Sequence, residues 1–92
     1  MIHVVSSSPL KSDCLERCLN EIKKDDILFL VGESVFAFKD EKLYERLEEI
    51  EQLYSLTPDL FANNISLWCG KDVTYEYLLK LIKKHGSPLT WK

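Results

Sequence analysis

Three cysteines and two histidines are the groups in this 92-residue chain best suited to nucleophilic or acid–base chemistry. Cys14 and Cys18 stand four residues apart in Ser12-Asp13-Cys14-Leu15-Glu16-Arg17-Cys18-Leu19, the spacing of neighbours on one helical face; Cys69 is distant, in Trp68-Cys69-Gly70. A cysteine reacts as its thiolate, so a working one needs positive charge, a helix N-terminus or a wet surface close by. An odd count in a chain without secretory features does not suggest a disulfide framework. There is no Cys-X-X-Cys pair, and His3 and His85 are the only imidazoles, so no metal is expected. Neither histidine is spaced to pair with a cysteine, which weighs against a cysteine hydrolase. No glycine-rich phosphate loop follows the first apolar run, so no nucleotide cofactor is expected either.

The elements that must position these residues alternate between strand and helix. Ile2–Val5 is a short β-branched run that reads as a buried strand, broken by Ser6-Ser7-Ser8-Pro9. Asp13 predicts a helix N-cap with Glu16 three residues on, and Leu15, Cys18, Leu19 and Ile22 then share one face. Lys23-Lys24 closes that helix with charge of the sign its dipole favours. Ile27–Val31 is apolar without interruption, as in a central parallel strand covered on both faces. Gly32-Glu33-Ser34 ends it, and Val35–Phe38 opens a helical segment. A second amphipathic helix runs from Asp40 with Leu43, Leu47 and Ile50 on one side. Leu53–Leu56 reads as a third strand. Thr57-Pro58-Asp59 predicts an N-cap with proline at the first helical position. Ile65–Lys71 is illegible as an element, and Asp72-Val73 reads as a fourth strand. Thr74 then caps a last helix carrying Tyr77, Leu78, Leu81 and Ile82, which ends at Gly86 before Pro88.

Strand–helix alternation predicts one α/β domain over residues 1–92, with a parallel or mostly parallel sheet of about four to five strands and helices on both faces. Reactive groups in such sheets gather beyond the carboxyl ends of the strands. Ser6–Pro9, Gly32–Ser34, Thr57-Pro58 and the start of the Cys14–Cys18 helix all belong to that edge.

Composition narrows the partners. A chain that is 46% hydrophobic and 29% charged is an ordinary globular domain, and its net charge of −3 argues against direct nucleic-acid binding. Charge is unevenly spread: residues 39–51 carry a net of −3, residues 71–92 a net of +3. Solvated faces of opposite sign explain this most simply. Strand-like sequence from Ile2 leaves no room for a leader, and no apolar run reaches membrane-spanning length, so a cytoplasmic protein is expected.

The opening Met1-Ile2-His3-Val4-Val5-Ser6-Ser7-Ser8-Pro9, the Cys18 helix and the closing Lys84-His85-Gly86-Ser87-Pro88-Leu89-Thr90-Trp91 together resemble the TusB/DsrH family of small sulfur-relay subunits. The likeness is good over 1–9, 26–35, 53–60 and 75–91. It implies a DsrE-like, flavodoxin-like fold and heteromeric assembly with DsrE/TusD-like and DsrF/TusC-like subunits. It also implies a place in 2-thiolation of the tRNA wobble uridine or in cytoplasmic sulfur oxidation. Homo-oligomers of the isolated chain are compatible with it. Family register puts the sulfur-accepting cysteine at Cys18, whereas Cys14 lies in the first helical turn, where the dipole is felt. Cys18 would lie ~7 Å along the axis, beyond that influence. Cys18 also continues the Leu15-Leu19-Ile22 face, the signature of a core thiol. Family members without the cysteine imply an alternative, a structural subunit that scaffolds a cysteine-bearing partner.

Other residues carry weaker expectations. Glu33 and Ser34 are supporting candidates at the site edge, where Glu33 would orient a partner thiol or simply be solvated. His3 is expected to be a satisfied histidine near Trp91, and His85 to bond the last helix carbonyls. Cys69 is expected to be inert. This chain departs from the family at Gly32-Glu33-Ser34, where Gln-Asp-Gly is usual, and at Ala62-Asn63-Asn64, where Ala-Arg-Gly is usual. Trp68-Cys69-Gly70 has no family counterpart.

Overall fold

The computed structural model describes Met1–Lys92. Its strands are β1 (Ile2–Val5), β2 (Ile27–Leu30), β3 (Gln52–Leu56), β4 (Lys71–Val73) and β5 (Leu89–Trp91). Its helices are α1 (Cys14–Glu21), α2 (Glu41–Glu48), α3 (Thr57–Ala62) and α4 (Tyr75–His85), with a 3₁₀ segment at Gly32–Lys39. The five strands form one all-parallel sheet in the order β4-β3-β2-β1-β5.

Successive strand residues point to opposite faces, and the two faces are covered unequally. Val5, Leu28, Leu30 and Leu53 face a large core completed by α1, the 3₁₀ segment, α2 and Leu60 of α3. Ile2, Ile27, Phe29 and Leu56 face a smaller one, covered by Leu78 of α4 with Leu81 and Ile82 partly buried. Crossover handedness explains the asymmetry. Three connections step the same way along the sheet and fall on one face; the fourth returns from β4 to β5 and falls on the other. β1 is therefore the point at which the strand order reverses.

Several local expectations are corrected. Leu89–Trp91, beyond Pro88, is not a tail but the edge strand β5, paired to β1 through His3↔Leu89 and Val5↔Trp91. Three residues carry no periodic signal; the exposed edge of β1 supplies the partner. Asp13 stands at the N-cap of α1 as expected, but its side chain makes no capping bond. The Ser12 hydroxyl accepts from the Cys14 N–H at 3.1 Å instead, and Asp13 pairs with Arg17. Thr57 is already helical, and its hydroxyl donates to Asp72 and the Val73 carbonyl, tying α3 to β4. Thr74 likewise stands at the N-cap of α4 as expected, without a side-chain bond. His85 is exposed and bonds no carbonyl; the Gly86 N–H closes α4 on the Ile82 carbonyl at 2.8 Å.

The stretch before β4 is a loop clamped onto α2. Trp68 stacks on Tyr44 with ring centroids 4.3 Å apart, and its indole N–H donates to Glu48. Gly70 has φ +79°, and any Cβ there would meet the Leu53 carbonyl at 2.6 Å, so only glycine lets the loop pass this close to β3.

Candidate functional site

The carboxyl edge of the sheet is built from short, polar loops because the apolar strands end there. At its centre Ser34, fully buried, lies 2.7 Å from the carbonyls of both Val5 and Val31, so its single O–H is shared between β1 and β2. Ser34 thus ties strands together and presents nothing to solvent. Glu33 is exposed and pairs loosely with Lys11 at 3.6 Å. Between β2 and β3, Asp59 accepts from the Gly32 N–H at 2.7 Å. That carboxylate closes the turn where the family pattern departs.

The two α1 cysteines occupy different worlds one helical turn apart. Cys18 is 0% exposed among Leu15, Leu19 and Leu28. Its thiol is pushed up to about 12, mainly by burial and further by the Asp26 and Glu21 charges. Cys14 is also covered, at 1% exposure, and belongs to the same core cluster, but polar groups reach its sulfur as well. Its thiol is held below the ordinary value by the Ser12 hydroxyl, against the opposing effect of burial, and then by Arg17 and Ser7. The Arg17 Nη2 donates to Cys14 Sγ at 3.4 Å. Cys69 is half-buried, and burial, then Glu48, raises its thiol.

Arg17 is held from several sides. Its Nε donates to Asp13 Oδ1 at 3.1 Å, and its Nη2 also reaches the Lys92 carbonyl at 3.5 Å. The guanidinium carbon lies 6.0 Å from the centre of the Trp91 ring. Trp91 in turn donates its indole N–H to His3 Nδ1 at 3.1 Å, which puts the imidazole hydrogen on Nε2, facing Asp26 Oδ2 at 2.9 Å. His3 is therefore a satisfied core histidine beside Trp91. Burial alone would raise the Asp26 carboxyl, but His3, the Lys23 N–H and the Met1 ammonium outweigh it and bring it to about 2.

The Cys14–Arg17 cluster thus sits where β1 and β5 end, at the reversal of strand order where open α/β sheets place their reactive groups. Arg17 adjoins Cys18 in sequence, but neighbours on a helix point apart. The i,i+3 relation to Cys14 was the available signal. Ser7, Ser12 and Trp91 carried none, since their positions depend on the β1–α1 loop and on β5. Three clefts of about 180 to 490 Å³ mark the surface, and none is lined by Cys14. One of these, about 260 Å³ and lined by Leu19, Lys23, Arg46 and Ile50 among others, lies between the ends of α1 and α2. No group of three or more His, Cys, Asp or Glu side chains converges on a point that could hold a metal ion. No helix is long and apolar enough to cross a membrane.

A search of curated proteins returned no match. The family model described as DsrH like protein matches residues 7–87, from the loop after β1 through both α1 cysteines, Arg17 and all of α4. With the parallel sheet and the thiol cluster at its reversal point, that match settles the family: the chain belongs to the DsrH-like proteins.

Proposed function

We propose that this chain is a cytoplasmic sulfur-relay subunit that works with DsrE/TusD-like and DsrF/TusC-like partners and takes up sulfane sulfur on Cys14. Family membership implies a sulfur-relay complex; the role of the chain within it is our reading. The observation that carries the reading is the contrast on α1: both cysteines belong to the core cluster, but an arginine and hydroxyls reach Cys14 Sγ, whereas burial and carboxylate charges act on Cys18. Sulfur transfer begins with a thiolate attacking the outer sulfur of a donor persulfide. The Cys14 sulfur then bonds that sulfur, the donor's S–S bond breaks, and the donor leaves as a thiolate; no net oxidation occurs. None of the three clefts is lined by Cys14 itself, which suits a donor presented on a protein surface better than a small molecule. On this reading Cys18, at the family's cysteine position, is a core residue. The terminal acceptor is served through 2-thiolation of tRNA or through sulfur oxidation.

A second reading has its own support. Cys14 is only 1% exposed, which favours an architectural subunit whose partner carries the sulfur. Mass spectrometry after exposure to a cysteine desulfurase and cysteine, alone and with a TusD-like partner, separates the two. Wild type and Cys18→Ser should each gain one sulfur and Cys14→Ser none. Absence of loading under both conditions defeats the relay reading and leaves the scaffold.

A further inference from the structure

Arg17 is a surface residue, with a side chain about half exposed, yet it is held in one place by four groups. Asp13 holds its Nε, the Lys92 carbonyl and Cys14 Sγ share Nη2, and the Trp91 ring lies beside it. A free surface arginine has rotamer entropy to lose, so such convergence needs a reason. Ion pairing with Asp13 alone is an i,i+4 contact worth little. The contact that distinguishes this arginine is the one to sulfur.

Transfer from a persulfide brings two anions together, the attacking thiolate and the donor's terminal sulfur. Their repulsion is relieved only by a cation at the point of approach. The one cation that touches Cys14 is Arg17. Ser7 and Ser12 add hydroxyls, and Asp13 faces the far side of the guanidinium. Lys11, in the loop before α1, is turned to Glu33. From β5 and the residue after it, only the Trp91 ring and the Lys92 carbonyl face the cluster.

Resting on the reading of Cys14 as the acceptor, we infer that Arg17 is the positioning residue of this site. Clamped by the end of β5, it holds the Cys14 thiolate, and then the Cys14 persulfide anion, against the approaching donor. The sheet edge is thereby part of the chemistry: β5 makes no contact with donor sulfur but fixes the cation that does. The indole bond from Trp91 to His3 keeps that strand end in place.

The test is site-resolved alkylation by iodoacetamide as a function of pH on the full chain. Tryptic cleavage after Lys11 and Arg17 puts Cys14 and Cys18 in separate peptides, and fragment ions separate them where position 17 is altered. Arg17→Gln should raise the Cys14 midpoint by about one pH unit and slow labelling at neutral pH about tenfold. Arg17→Lys should raise it by less than half as much, since a point charge lacks the fork that spans Asp13 and sulfur. Cys69, distant from Arg17, should keep its wild-type profile in both. A midpoint unmoved by either substitution overturns the inference. An unfolded variant would announce itself by faster labelling of Cys18 and Cys69, and the test then rests on Arg17→Lys, whose unchanged midpoint overturns it equally. Loading from the desulfurase separates this from the parent reading. A moved midpoint with no sulfur gained sinks the acceptor role and spares Arg17; equal loading of wild type and Arg17→Gln with unmoved midpoints does the reverse.

Discussion

Cys14 and Cys18 are one turn apart on the same face of α1, yet their thiols are driven in opposite directions. Both belong to the main core cluster, but serines and an arginine held by the end of the chain reach the upper one, Cys14, alone. The helix rises ~6 Å between them and in that distance reaches the polar groups at the sheet's carboxyl edge. Reactivity here is a property of height along the helix rather than of residue type. A sequence register that identifies a cysteine in a family does not by itself say which side of that boundary the sulfur occupies.

The largest effect expected from this contrast is kinetic. In the native protein near pH 8, alkylation should mark Cys14 faster than Cys18 by a factor on the order of 10³, since a thiol near 12 is almost wholly protonated there. Cys69 should fall between them. Equal labelling of Cys14 and Cys18 would break the comparison.

Next in size is the cost of charge at the lower position. Cys18→Asp places a carboxylate with no partner in hydrocarbon and should cost about 4 kcal/mol or more, read as a collapse of the urea midpoint. Retention of wild-type stability would mean that the core around Cys18 is open to water.

Acid should act through Asp26. Its carboxyl, held at about 2 from an ordinary 3.8, contributes stability that is fully present above the unfolded value and lost as pH falls through the folded one. Allowing for its small exposure, about 1–2 kcal/mol should disappear between roughly pH 5 and 2. Asp26→Asn should flatten that part of the stability profile. It should also lower the Cys18 thiol somewhat, because the Asp26 charge helps raise it. A wild-type profile in the variant would exclude Asp26 as the source.

The smallest effect sharpens the comparison most. Cys18→Ser should cost about 1–2 kcal/mol in a urea melt, the burden of a hydroxyl buried without a partner. Cys14→Ser, already among hydroxyls and a guanidinium, should leave the melt nearly unchanged. A reversal of this order would place the polar environment at the wrong cysteine.

Much of the architecture was legible from the residues. The alternation of Ile2–Val5, Ile27–Leu30 and Leu53–Leu56 with amphipathic helices carries a parallel sheet, because buried strands and one-sided helices differ in apolar period. Elements of three residues were harder. Asp72-Val73 was read as a strand and Leu89–Trp91 was not, since Pro88 looks like a stop and the pairing edge of β1 lies far away in sequence. The loop at Trp68 was opaque because its anchors, Tyr44 and Glu48, belong to another helix. At the site, Glu33 and Ser34 were legible as edge residues, but only packing shows that Ser34 is spent on two strand carbonyls and Glu33 on Lys11.

The sequence by itself determined the fold class, the family and the presence of two cysteines on one helical face. Apolar periodicity, strand–helix alternation and a set of ordered local matches are properties of short windows. Tertiary structure alone decided which cysteine meets polar groups. That choice depends on where α1 lies against β1 and on a last strand, 75 residues on from Arg17, whose end carbonyl reaches the arginine beside Cys14. Long-range burial and a cation held across the chain set a thiol's environment, and neither is written in any window of residues around the thiol itself.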